Sequence, residues 1–455
     1  MKLVSAGAKI LVSRVGQVLA NAAVVMLVAK TLGPVGQGHY SLTVAVGMLL
    51  AALLGGGLGL AAVPPLRQRR VLPLRMFRAQ LTWTGGMTFV LLLIAWLSLS
   101  PRLAPVLRDQ LGWVAGLGFV AAGAATGMLL FEVYSYDLLA RGCLTVGAAI
   151  NGTRAVGQVL VVAVLFVTGG LTFARAVGVW ALAQLVGGCA ACVIVLREFR
   201  RRRPDDREIG AGAPAAADAT SPGAVTSSSP EPATEEMPAD LADRSASGLV
   251  LFCLRRGWLG QLSAVAYFLL LRLDQGLLVQ LRDAAEVGIY SIAVYIGEML
   301  WLLPGALTPL LVHSSAAAAT DPERDRTAVR AVRLGLGLCC LAAIPLFVLA
   351  EPLVVLLAGE EFRPSADALR ALLPGIVAFA PGAVLAGDFI GRGKPHWNTQ
   401  ASFLTVVINV AAGLLLIPAH GAVGAAWAST IAYACGSGVM LLRFRQVLTG
   451  HAATS

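Results

Sequence analysis

The chain has 455 residues, 57% of them hydrophobic and only 13% charged, with a formal net charge of +10. That is too little charge to cover a soluble protein of this length, so a soluble globular fold is excluded. The basic residues, 31 of the 35 being Arg, gather in connections between apolar runs rather than in patches with interleaved aromatics, which argues against nucleic acid as a partner. The apolar residues arrive in blocks of roughly 20, the length a helix needs to cross a bilayer core of ~30 Å. In chain order the blocks predict spans near residues 9–31, 39–62, 79–100, 112–133, 144–168 and 174–197, then 250–272, 286–311, 333–357, 366–388, 399–418 and 422–442. Breakers fall at several ends: Gly33-Pro34, Pro64-Pro65, Pro101, Pro352 and Pro418. The fold class expected is an all-α integral membrane protein of twelve transmembrane helices.

The connection from Pro64 to Arg78 carries Arg67, Arg69, Arg70, Arg75 and Arg78, and the one after the sixth span opens with Arg197 and Arg200 to Arg203. Arg324, Arg326, Arg330 and Arg333, then Arg392 and Lys394, then Arg443 and Arg445 mark later alternate connections. The connections between them hold single charges such as Lys30, Arg175 or Arg363. The positive-inside rule then places both termini and all the basic loops in the cytoplasm. Two lysines precede the first span with no small-x-small cleavage site, so that span is expected to remain as an uncleaved anchor. The seven cysteines lie in or beside apolar blocks and give no disulfide framework; Cys189-x-x-Cys192 reads most simply as small-residue packing. No metal site and no cofactor are expected.

From Pro204 to Ser247 the composition turns to Ala, Pro, Ser, Thr, Asp and Glu without apolar period, which predicts a flexible cytoplasmic linker. The expected organisation is a six-helix bundle over 1–197, a disordered linker over 198–248, a second six-helix bundle over 249–447 and a cytoplasmic tail over 448–455. The two bundles look like copies. "TLGPVGQGHYSL" (31–42) returns as "LRDAAEVGIYSI" (281–292), with Gly38, Tyr40 and Ser41 matched by Gly288, Tyr290 and Ser291 at an offset of 250. Gly47/Gly297 and Gly55/Gly305 keep that register, and Arg141-Gly142 against Arg392-Gly393 continues it at 251. Both copies start on the same side, so the repeat is parallel, about an axis along the membrane normal.

The stretch "AKTLGPVGQGHYSL" after a first span resembles the L-G-P-x-x-x-G-x-Y hallmark of the polysaccharide (Wzx-type) flippases, which belong to the multidrug/oligosaccharidyl-lipid/polysaccharide exporter superfamily. "LAGEEFRPSADALRALLPG" and "VVINVAAGLLLIPAHGAVGAAWAST" are similar to that superfamily's later connections and last two spans. The long linker departs from the pattern. The resemblance implies a MATE-like, V-shaped pair of pseudo-symmetric bundles around a central cavity. It also implies alternating access, with an undecaprenyl-pyrophosphate-linked oligosaccharide as cargo, moved from the inner to the outer leaflet of the bacterial cytoplasmic membrane for exopolysaccharide or O-antigen assembly. A polysaccharide polymerase and a chain-length regulator are the implied protein partners, with membrane lipids around the chain and a proton or sodium gradient as the driving force.

A lone charge in hydrocarbon costs at least ~2.5–3.5 kcal/mol, so the few polar residues inside spans are the functional candidates. Arg14, Gln17 and Asn21 share one face of the first span, and Asn151, Arg154 and Gln158 one face of the fifth. Asn409 sits at a repeat-equivalent position in the eleventh. Arginine's planar fork suits a pyrophosphate or acidic sugar, so Arg14 and Arg154 are the expected contacts and Arg272 a weaker one. Against them stand plainer readings: Arg14 as a snorkeller at the helix end, and Arg272 as one half of an ion pair with nearby Asp274. Asp274 and Glu298 are the candidates for ion coupling; interhelical hydrogen bonding or pairing with an arginine is the plainer alternative. Pro304 and the run Gly55-Gly56-Gly57 occupy matching repeat positions and are expected to bend their helices.

Two other functions compete. A multidrug extruder of the same fold takes mostly cationic cargo and would favour acids where the first span has Arg14. A membrane-embedded polysaccharide polymerase or ligase needs a large outer loop with catalytic Arg or His, and the outer connections expected here are short. A lipid II flippase is expected to add two C-terminal spans. No enzyme activity is expected.

Overall fold

The computed structural model describes residues 2–68, 70–97, 118–141, 143–201, 241, 244–317, 320–394 and 396–454. Most of the expected linker and the start of the expected fourth span lie outside the described residues. Within them every regular element is helical. In chain order they are α1 (Lys2–Leu54), α2 (Leu58–Arg67), α3 (Pro73–Leu97), α4 (Gly118–Ala140), α5 (Leu144–Val167), α6 (Phe173–Arg201), α7 (Ala246–Leu281) and α8 (Ala284–Glu298). After a 3₁₀ turn (Met299–Trp301) follow α9 (Leu302–Ala317), α10 (Asp321–Val348), α11 (Ala350–Ala358), α12 (Ser365–Gly391) and α13 (His396–Thr454).

Among the described residues, nine helices are long and apolar enough to cross a membrane. Their outer faces stay apolar: Val167 is 83% exposed, Leu415 78% and Leu341 70%. Helices bearing such faces suit hydrocarbon, where every backbone N–H and C=O must find its partner inside the segment.

Of the expected breakers, Gly33-Pro34 marks a break, Pro64-Pro65 and Pro352 lie within helices, and Pro101 lies outside the described residues. α1 carries one non-helical residue, Gly33, at φ 65, followed by Pro34. An L side chain is costly at that φ, and proline cannot donate to the preceding turn, so the chain redirects between the expected first and second spans. Gly421, at φ 53, does the same in α13 after Pro418. Gly56 and Gly57, both at positive φ, end the apolar run of α1 before α2 begins. Their expected counterpart, the helix around Pro304, is likewise interrupted, as α8, a 3₁₀ turn and α9 in succession.

The chain divides into two compact units, one of Met1–Asn21, Thr43–Val225 and Glu235–Val265, the other of Ala22–Leu42, Thr226–Thr234 and Ala266–Ser455. The division cuts α1 and α7 rather than falling at the linker. In the first unit, α4 lies directly on α6 at Gly127 and Gly188, where a side chain on either glycine would overlap the opposing helix. The described end of the linker, Leu241, is buried in a cluster with Leu58, Ala62, Met76, Leu249 and Phe252. In the second unit, α12 is the most enclosed helix and packs on α13 through Gly375 against Thr430 and Gly382 against Ser437. The Ser437 hydroxyl accepts the Gly382 N–H at 3.0 Å. The same two helices of each repeat, the fourth with the sixth and the tenth with the twelfth, are therefore the ones joined through small residues.

Candidate functional site

Two polar assemblies stand out, one in each unit. In the second unit Asp274, on α7, is buried together with Gln275, Tyr290, Ser429 and Asn409. Its Oδ1 accepts the Gln275 N–H at 2.8 Å, and its Oδ2 accepts the hydroxyls of Ser429, at 3.0 Å, and Tyr290. Asn409 Nδ2 donates to Ser429 Oγ at 3.1 Å. Asn409 and Asp274 thus belong to one network bridged by Ser429. Three polar side chains, from α8 and α13, gather around the one carboxylate on α7, and none of its direct hydrogen-bond partners is a cation.

Arg272 lies two residues before Asp274 and faces elsewhere, since positions i and i+2 of a helix do not share a face. It grips Glu298 with both arms, Nη1 to Oε1 at 2.7 Å and Nη2 to Oε2 at 3.1 Å, and stacks over Tyr295 at 5.7 Å. The sequence-level pairing of Arg272 with Asp274 is therefore replaced by a bidentate pair with Glu298, both ion-coupling candidates being held by hydrogen bonds. On the other side of Asp274, Ser41 of α1 donates to Gln275 Oε1 at 3.0 Å and Gln37 to Ser291 at 3.2 Å.

Hydrogen bonds from Arg282, just after α7, and from α8 also secure the break at Gly421. Arg282 Nε donates to the Ile417 carbonyl at 3.2 Å, and Glu286 Oε2 accepts the Ala422 N–H at 2.7 Å. These are the two kinds of orphan backbone group that an interrupted helix leaves open.

In the first unit α5 and α6 enclose a trough of about 870 Å³. Ser13, Arg154 and Gln158 are among its polar lining residues, and Val161, Leu182 and Val186 among the apolar ones. Among the described residues no carboxylate lines it. Arg154 reaches Gln184 through Nη1, while its buried Nε has no hydrogen-bond partner among the described residues. Gly187 makes room for the arginine's stem: a Cβ there would lie 2.8 Å from Arg154 Cδ. Arg154 and Gln158 thus share one surface, as their spacing requires, but Asn151 does not line it. Arg14 and Asn21 are exposed and Gln17 is half-buried, and none of the three lines the trough. Ser13 does, and its hydroxyl donates to the Ala148 carbonyl at 2.7 Å.

A third cluster escaped the sequence reading. Asp388, wholly buried, accepts Arg392 Nε at 2.6 Å and the Ser315 hydroxyl; Arg392 also reaches Asp325 at 2.7 Å and stacks over Phe444 at 5.7 Å. At the repeat-equivalent place in the first unit, wholly buried Asp137 accepts Gln80 Nε2 at 2.9 Å. "DLLARG" (137–142) and "DFIGRG" (388–393) share this Asp-x-x-x-Arg-Gly pattern at the 251 offset. That second copy was the available signal.

A model of the family described as "Lipid II flippase MurJ" matches residues 279–454. A solved structure of a lipid II flippase MurJ in an inward closed conformation superposes with a TM-score of 0.71 at 11% identity, over 95% of this chain and 87% of that one. A MATE-family multidrug resistance transporter in its inward-facing form gives 0.70 at 15% identity, covering 96% of both chains. A transporter of the MOP superfamily from Pyrococcus furiosus, described by a reversed polarity of its binding pocket, gives 0.61 at 14%, over 98% and 94%. The chain has the fold of the MATE and MurJ transporters. No curated protein matches it by sequence. These neighbours are flippases and transporters, in keeping with a chain read as a membrane carrier and not as an enzyme.

Proposed function

We propose that this chain is a flippase that carries an isoprenoid-diphosphate-linked oligosaccharide across the bacterial cytoplasmic membrane by alternating access, with its basic loops and both termini in the cytoplasm. The observation that carries this reading is Arg154, a guanidinium set in an apolar trough that, among the described residues, has no carboxylate in its lining and no partner for the arginine's Nε. Such a group favours an anion, and a phosphate ester supplies charge-assisted acceptors where water does not. The MurJ family model over the second part of the chain supports a lipid-linked cargo. We assign Arg14, Gln17, Asn21, Asn151 and Gln158, and separately Asn409 and Arg272, to the polar head of the cargo. The same cationic set disfavours the drug-extruder reading, since a cationic drug would meet Arg154 without a countercharge.

Asp274 is the better of the two coupling groups. Glu298 has its charge compensated by Arg272, whereas the direct hydrogen-bond partners of Asp274 are neutral. Binding or releasing a proton or a sodium ion there ties the carrier to the gradient, and one charge moved across 100 mV changes the free energy by ~2.3 kcal/mol.

The test is surface-polymer output in cells whose only copy is Arg154→Ala. Loss of polymer at normal protein level is expected, and wild-type output removes Arg154 from the site.

A further inference from the structure

The floor of the α5–α6 trough is explained by an anion; its walls ask for something else. From Thr145 to Val161 the lining of α5 extends sixteen residues, ~24 Å at 1.5 Å per residue. Its walls are aliphatic, and Leu182, Val186 and Val161 stand 61%, 58% and 48% exposed along it. We propose that this trough is the seat of the cargo's isoprenoid tail, with Arg154 holding the phosphate next to that tail while the headgroup is in transit. The proposal rests on the flippase reading and adds where, and by which surface, the lipid part is held.

Depth selects the occupant. Arg154 lies nine residues, ~13 Å, along α5 from Thr145, close to the middle of a bilayer core of ~30 Å. The phosphate of a resident phospholipid stays at the membrane surface. The phosphate of a lipid being turned over passes through this depth, where the half-buried Arg154 guanidinium meets it. The small residues Ala148, Ala149, Gly157, Ala183 and Ala190 in the lining leave room for the methyl branches of such a tail.

The full chain in phosphatidylcholine nanodiscs is titrated with radiolabelled undecaprenyl phosphate, with phosphatidylglycerol or inorganic pyrophosphate as competitor. Val186→Trp and Val161→Trp fill the trough from its α6 and α5 walls, and each is expected to weaken retention of undecaprenyl phosphate at least tenfold. Arg154→Gln is expected to weaken it as much, and Leu341→Trp, on an exposed position of α10, to leave it unchanged. Inorganic pyrophosphate at equal concentration is expected to displace little. Wild-type retention in both trough tryptophan variants, or displacement by equimolar phosphatidylglycerol, overturns the seat. The same preparations in liposomes report flipping of a fluorescent lipid-linked oligosaccharide. Flipping by the wild type together with wild-type retention in both trough variants removes the seat and leaves the flippase. No flipping by the wild type removes the flippase and this seat with it.

Discussion

Gly38 of α1 and Gly288 of α8 press backbone against backbone, and they are the same position of the internal repeat. A Cβ on Gly38 would fall 3.1 Å from the Gly288 nitrogen and overlap the Ala284 carbonyl; a Cβ on Gly288 would fall 3.1 Å from the Gly38 nitrogen and overlap the Pro34 carbonyl. The reciprocity is that of a two-fold contact, each copy of the hairpin offering the other its own glycine.

Either substitution, Gly38→Val or Gly288→Val, is therefore expected to force the same separation, costing about 2 kcal/mol of overpacking. Because both open one shared gap, the double variant should cost clearly less than the sum of the singles. Thermal unfolding of the purified chain in detergent checks this; strict additivity would mean that the two glycines do not share a contact.

The pair Arg272–Glu298 gives a second prediction. With side chains only 14% and 21% exposed, removing one partner strands the other's charge. Arg272→Met or Glu298→Gln is expected to destabilise by about 3 kcal/mol, while the double replacement recovers most of the loss. A double variant less stable than either single would show that the two residues are held by something other than each other.

A third concerns coupling. Asp274→Asn keeps a carbonyl oxygen for Tyr290 and Ser429 but removes the exchangeable charge. Transport should persist at reduced rate and lose its response to an imposed proton or sodium gradient. A gradient response unchanged in both Asp274→Asn and Glu298→Gln would eliminate both groups as coupling sites.

The buried cluster around Arg392 yields a fourth. Arg392→Ala leaves Asp388 and Asp325 without their shared cation and is expected to cost at least about 3 kcal/mol, whereas Arg443→Ala on the exposed tail side of α13 should change stability by less than about 0.5 kcal/mol. Equal effects of the two would mean that Arg392 acts only as a loop charge.

Much of the fold was legible in the sequence because membrane helices declare themselves by length and composition, and because Gly33-Pro34 and Gly56-Gly57 break the chain where turns are needed; near Pro418 the break falls at Gly421 instead. The repeat made Gly38 and Gly288 equivalent before their contact was known. The sites were legible only in part. Arg154 stood out as a charge inside a span, but Ser429 and Tyr290 are ordinary residues until folding brings three helices around Asp274. Arg392 was read as a marker of orientation, since a loop arginine and a buried ion-pair arginine at a helix end look alike along the chain. Arg272 misled for a geometric reason, as nearness in sequence to Asp274 puts it on a different face of α7.

On this reading a lipid-linked anion crosses the membrane past Arg154. The most direct measurement reconstitutes the purified chain in liposomes and follows a fluorescent undecaprenyl-diphosphate-linked oligosaccharide between leaflets. The account predicts flipping well above protein-free liposomes, lost in Arg154→Ala and retained in part in Arg154→Lys. Flipping at the protein-free rate, with uptake of a cationic dye in the same vesicles, would contradict it.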